Sequence, residues 1–136
     1  MQRVNMEDLV DRHMAAEAAG DIDGAVDVYT DDVEHDVVGW PTGPTRGRAG
    51  ARGFYEYLAG NFRSTAAEIT HRWHTDDALI IEHEMHGTVI GELLGQQGQG
   101  REITFRLLHV FEFADERIRR ENVWLDSASI IAQLTA

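Results

Sequence analysis

The chain has 136 residues and a formal net charge of −12, from 24 acidic against 12 basic side chains. Its length suits one domain over residues 1–136, and 43% hydrophobic with 26% charged residues argues against disorder. The acidic balance argues against nucleic acid, whose phosphates need a basic footprint, and against an anionic membrane surface; the absence of cysteine removes disulfides, thiol nucleophiles and thiolate metal sites and fits a reducing, cytoplasmic setting.

The opening MQRVNMEDLVDR carries acids where a signal peptide needs an apolar run, and the longest strongly apolar stretch, Ala78 to Ile81, is far too short to span a membrane. Asn5 is placed to cap a first helix, whose face is Met6, Leu9, Val10, His13 and Met14, and Gly20 is its stop signal. Asp21 starts a short second helix with Ala25, Val26, Val28 and Tyr29 on its apolar side, ended by Asp31 and Asp32. Val33–Val38 reads as a short strand. The segment GWPTGPTRG holds both prolines and is a loop. A third helix runs from about Arg48 to Phe62, with Ala51, Phe54, Tyr55, Leu58 and Phe62 as its stripe.

The texture then changes to strands over Ala67–His74, Ala78–Ile90, Arg101–Phe113 and Ile118–Asp126. Tight turns fall at Thr75–Asp77 and Ala114–Arg117, and a looser tip at Gly95–Gly100. Residues from Ser127 onward are read as a final helical turn or two. Helices followed by hairpin-joined strands predict an α+β fold: a curved antiparallel sheet cupped on three N-terminal helices around one apolar pocket.

Three stretches carry a resemblance: LVDRHMAAEAAGDIDGAVDVYTDDVEHDVVG (9–39), RGRAGARGFYEYL (46–58) and REITFRLLHVFEFADERIRRENVWLDSASIIAQL (101–134). Together they resemble the nuclear-transport-factor-2-like superfamily, in particular its ketosteroid isomerase and SnoaL-type polyketide cyclase branches. The resemblance implies a cone-shaped α+β roll, frequent homodimers paired through the sheet, and cofactor-free acid/base chemistry on a small hydrophobic carbonyl compound, by isomerisation, cyclisation or dehydration. Epoxide hydrolysis and a non-catalytic binding or structural module are the alternatives, because one fold hosts many functions.

His109 shares a strand face with Ile103, Phe105, Leu107, Phe111 and Phe113, and an imidazole in an apolar row is costly unless hydrogen-bonded. The resemblance puts it where one branch carries a catalytic carboxyl and the other a histidine. His35 and Asp36 fall where the isomerase branch has its base. Alignment from the helix side turns His35 inward and alignment from Gly39 turns Asp36 inward; alternation with Val33 and Val37 favours His35. Asp126, beyond Trp124, is either an acid/base group or a helix cap, and His13 is either a donor to a substrate oxygen or a core histidine. Trp40, Phe54, Tyr57, Phe105, Phe111 and Trp124 are the aromatic candidates for a ligand pocket, with Trp40 as its lid.

No metal or nucleotide cofactor is expected. His71 with His74, and His83 with His86, are spaced by three in strands, which turns the members of each pair to opposite faces. No glycine-rich phosphate loop precedes a helix. The relay that an epoxide hydrolase needs is poorly served, since Arg106 alternates away from His109.

Overall fold

A computed structural model describes all residues, Met1–Ala136. The chain runs α1 (Arg3–Ala18), α2 (Ile22–Asp27), β1 (Tyr29–Val38), β2 (Thr45–Arg46), α3 (Arg48–Asn61), β3 (Phe62–His74), β4 (Ala78–Val89), β5 (Glu92–Leu93), β6 (Gln96–Gln97), β7 (Arg101–Ala114), β8 (Arg117–Leu125) and α4 (Ser127–Thr135). Six strands form one sheet in the order β2-β1-β8-β7-β4-β3, and β5 pairs with β6 alone. The α+β roll expected from the sequence is the fold observed.

Local chemistry explains most boundaries. Gly20 stops α1 in the left-handed conformation, at φ 72°. The Asp21 carboxylate caps α2 by accepting from the Gly24 amide at 3.0 Å. Asn5 is not a cap: α1 starts earlier, after Gln2, with no side-chain cap bond. The second helix also ends before the acids proposed to stop it. Tyr29 begins β1, which pairs with β8 at Tyr29–Ile118 and again from Glu34–Arg120 to Val38–Trp124. That pairing is parallel, so the sheet is not wholly antiparallel. The connection from β1 back to β8 spans α3 and three long strands.

The sheet curls at irregularities in register: between Ser64 and Ala66, between Ile69 and His71, and between Glu112 and Phe113. Gly87 assists. A Cβ there would lie 2.2 Å from the Phe62 ring and 2.6 Å from the Arg63 carbonyl, so only glycine lets the start of β3 cross so closely. The inner face of β7 is the predicted row Ile103, Phe105, Leu107, His109, Phe111 and Phe113, every member buried.

The interior has two apolar clusters. One gathers Met6, Val10, Tyr29, Leu79, Phe111 and Ile118 under α1 and α2. The other gathers Val37, Phe62, Val89, Leu107, Val123 and Ile130 under α3 and α4. Phe54 packs against both. A polar layer and a cavity lie between them. No helix is long and apolar enough to cross a membrane.

The β7–β8 turn offers a test of local strain. Asp115 and Glu116 both have positive φ, 52° and 57°, as a two-residue hairpin turn of this hand requires. Aspartate tolerates that region and glutamate does not. Glu116→Gly is expected to stabilise the protein by about 1 kcal/mol and to raise the thermal midpoint by roughly 4 °C, measured by calorimetry.

Candidate active site

The site grows from one buried acid. Glu121 sits on β8 with only 1% of its surface exposed. One oxygen, Oε1, accepts from the Tyr29 hydroxyl at 2.7 Å and faces His13 Nε2 at 3.1 Å. The other, Oε2, accepts from the Tyr55 hydroxyl at 3.2 Å and faces His35 Nε2 at 3.8 Å and His109 Nε2 at 3.9 Å. Burial alone would raise its pKa. The charge of His13 and its hydrogen bond, joined by His35 and His109, instead hold the carboxyl well below the usual carboxylate range. Glu121 is therefore an ionised carboxylate in the interior.

Its counter-ion is His13. The ring is fully buried, and Nδ1 donates to the Ala25 carbonyl at 2.8 Å while Nε2 faces the carboxylate. Both nitrogens thus meet acceptors, which is the hydrogen-bonding pattern of an imidazolium. Burial lowers its pKa, but Glu121, Glu17 and the Ala25 carbonyl outweigh that and bring it up to about 9.

The more apolar of two cavities has a volume of about 280 Å³, and 19 of its 27 lining residues are hydrophobic. Four titratable groups on its wall matter: Glu17, His83, His109 and Glu121. His109 is 5% exposed. Burial, only partly offset by Glu121 and reinforced by His83, His13 and His35, pushes its pKa down to about 3, so its imidazole is neutral. The negative charge of Glu121 opposite Nε2 favours the tautomer with the proton on that nitrogen, while Nδ1 is buried with no hydrogen-bond partner. The 3.9 Å from Nε2 to Glu121 is too long for a hydrogen bond, so the N–H remains available. His83 packs edge-on against His109, ring centroids 5.2 Å apart. Glu17, four residues beyond His13 on α1, faces it at 3.6 Å. Burial and Glu121 raise its pKa and His13 opposes them, leaving it at about 7.

The structure redistributes the residues singled out from sequence. His109, Phe105, Phe54 and Trp40 line the apolar cavity. His35, 3% exposed, turns inward as strand alternation requires, but its ring lines a second hollow on the far side of Trp40 and Phe54. Tyr57 lines that hollow too, its hydroxyl donating to Glu92 Oε1 at 3.2 Å. Asp36 is on the outer sheet face, 3.7 Å from Arg120. His13 lines neither cavity; it is the counter-ion behind the wall. Phe111 is fully buried in the first apolar cluster.

Trp124 and Asp126 are corrected together. The irregularity between Ile118 and Arg120 on β8 switches its phase. Glu121, Val123 and Leu125 then point inward, while Asn122 and Trp124 point outward. Trp124 is 52% exposed. Asp126 caps α4, accepting from the Ser129 amide at 3.2 Å. Arg106 pairs in register with Glu84, away from the inner face.

Sequence reasoning missed Glu121, Glu17, Tyr29 and Tyr55 as site residues. Glu121 sits in the run Arg119-Arg120-Glu121-Asn122, which reads as a solvated hairpin. The signal for Glu17 was present: it lies one helical turn beyond His13 on the same face.

A family model described as SnoaL-like domain matches residues 10–121. No curated protein matches the sequence. Among solved structures, a candidate polyketide cyclase from Xanthomonas campestris pv. campestris is 22% identical, with TM-score 0.84 over 97% of this chain and 98% of that one. TsrD from Streptomyces laurentii is 19% identical, with TM-score 0.84 over 98% and 97%. An LEH-like epoxide hydrolase from M. tuberculosis is 17% identical, with TM-score 0.75 over 97% and 90%. At such identities these likenesses show the shared fold.

Proposed function

The chain belongs to the SnoaL-like domain family, and from that premise we propose that it is a cofactor-independent acid/base enzyme acting on a small hydrophobic carbonyl compound. The observation that supports this most is an ionised carboxylate–imidazolium pair buried behind an apolar cavity. Burying such a pair is costly and adds little to stability over a hydrophobic replacement, so a pair kept beside a cavity points to chemistry.

The cavity wall suggests a division of labour. Glu17, with a pKa near neutrality, takes the proton from the carbon next to the carbonyl. His109 donates its Nε2–H to the carbonyl oxygen as charge develops there. A neutral imidazole serves as donor without giving up its proton, and its low pKa makes it a weak base. This departs from the sequence reading, in which His109 or the His35/Asp36 pair takes the proton and His13 donates to the oxygen. Glu121 holds His109 in the donor tautomer, and His13 keeps Glu121 ionised. The apolar lining excludes water and strengthens both interactions.

The test is exchange of α-protons in D₂O, followed by NMR on hydrophobic cyclic ketones such as 2-tetralone. Catalysed exchange that disappears in Glu17→Gln supports the reading. Ketone binding without any exchange would favour a non-catalytic binding module instead.

We also propose a homodimer through the outer sheet face. Register places Trp124 beside Leu108, Leu108 beside Glu82, and Glu82 beside His71, whose ring stacks on Trp73 at 5.2 Å. Trp73 and Trp124 are both left exposed, and large apolar groups sharing one face are typical of interfaces. Trp124→Glu is expected to shift the protein from dimer to monomer in sedimentation velocity. A monomeric wild type would overturn the proposal.

A further inference from the structure

The second hollow, about 520 Å³, differs in chemistry from the apolar cavity. Its wall carries the hydroxyls of Thr42, Thr45 and Tyr57, the Glu92 carboxylate and the His35 ring. Trp40, Phe54 and Leu94 line both spaces and are therefore the partition between them. We propose that the two spaces are consecutive chambers of one site, the second binding an uncharged, polyhydroxylated ring carried by the ligand of the first. The proposal rests on reading the first cavity as a ligand site.

Four observations carry it. First, the polar side chains are hydroxyls and one imidazole, with a single charge, that of Glu92. Only Oε1 of that carboxylate receives a hydrogen bond from Tyr57, leaving Oε2 free for a hydroxyl. No Lys or Arg lines the hollow, so nothing there would neutralise a carboxylate or phosphate. Second, the Trp40 ring meets Phe54 and Tyr57 edge-to-face at 5.3 and 5.6 Å. These rings offer apolar surface to the C–H faces of a saturated ring.

Third, the buried carboxylate joins the chambers. His35, on the wall of the second, and His109, on the wall of the first, both face the same oxygen of Glu121, at 3.8 and 3.9 Å. The His35 Nε2 is buried without a hydrogen-bond partner. Fourth, one local feature leaves this region open. Gly53 sits inside α3, where alanine is the better helix former, yet nothing lies within 4 Å of a Cβ placed there.

The test is an NMR titration with three probes: 4-nitrophenol, methyl β-D-glucopyranoside and 4-nitrophenyl β-D-glucopyranoside. The joined probe is expected to bind at least tenfold tighter than 4-nitrophenol, shifting the Gly53 and Gly95 amides together with the Leu107 and Val123 methyls. Gly53→Phe, which places a ring at the rim of the second hollow, should abolish that advantage and leave 4-nitrophenol affinity unchanged. Glu92→Gln, which preserves shape, should reduce it at least fivefold and guards against misfolding of the first variant.

A sugar that adds no affinity would overturn the proposal, as would shifts confined to the first cavity. Tighter binding of 4-nitrobenzylamine than of the glucoside would overturn the uncharged ring in favour of a cation. Failure of the first cavity reads differently: 4-nitrophenol would not shift Leu107 or Val123, while methyl glucoside would still report on Gly53 and Gly95.

Discussion

Glu121→Ala is expected to cost about 3–5 kcal/mol of stability, because removing one partner of a buried ion pair strands the other. That is a large part of the 5–15 kcal/mol, roughly, that holds a domain together. The His13 cation would keep only Glu17, at 3.6 Å, as a counter-charge. The Tyr29 and Tyr55 hydroxyls would lose their carboxylate acceptor. Urea unfolding measures the loss, and a cost below about 1 kcal/mol would mean that Glu121 is not ionised in the folded state. The double variant His13→Leu/Glu121→Leu should cost less than the two single changes together, since it removes both charges.

The same network fixes the pH dependence. His13 is raised from 6.5 to about 9, so its contribution is complete below pH 6.5 and is lost as pH rises through 9. Glu121 is lowered, so its contribution is present above 4.5 and is lost as pH falls through its depressed value. His109, lowered from 6.5 to about 3, contributes above 6.5 and loses that contribution as pH falls toward 3. Glu17, raised from 4.5 to about 7, stabilises below 4.5 and loses that contribution as pH rises through 7. The alkaline limb therefore belongs to His13 and Glu17. Replacing Glu121 with Gln should flatten the part due to His13.

What the sequence disclosed follows from which signals are local. Alternation along β7 gives the inner row with His109 in it, because a regular strand keeps its phase over its whole length. The same rule chose His35 over Asp36 on β1. It failed on β8, where one irregularity inverts the faces and carries Trp124 outward and Glu121 inward. A bulge is set by how two strands pair, which no local pattern in either strand records. Glu121 was invisible for a second reason. Its role depends on His13, Tyr29 and Tyr55, which are distant in sequence and meet only when α1 and α3 close over the sheet. The fold was legible because it sums many weak local preferences; the charged layer was not, because it rests on a few long-range contacts.

Replacement of His109 then separates the two roles on the cavity wall. His109→Ala is expected to reduce turnover by about 10²–10³, the range for loss of one aimed donor, with KM changed only a few-fold. His109→Gln keeps an N–H at similar reach and should recover part of the rate, which a lost base would not. The wild-type kcat/KM should rise with pH through about 7 as Glu17 ionises. His109 stays neutral across that range and contributes no limb of its own. In Glu17→Gln the limb near 7 should vanish along with most of the activity. If the limb instead survives in Glu17→Gln and vanishes in His109→Gln, the imidazole is the base after all. In that case the protein must raise His109 far above 3 when ligand fills the cavity. The ligand could do this by bringing an acceptor to the orphaned Nδ1, since a hydrogen bond there would stabilise the imidazolium that burial now penalises.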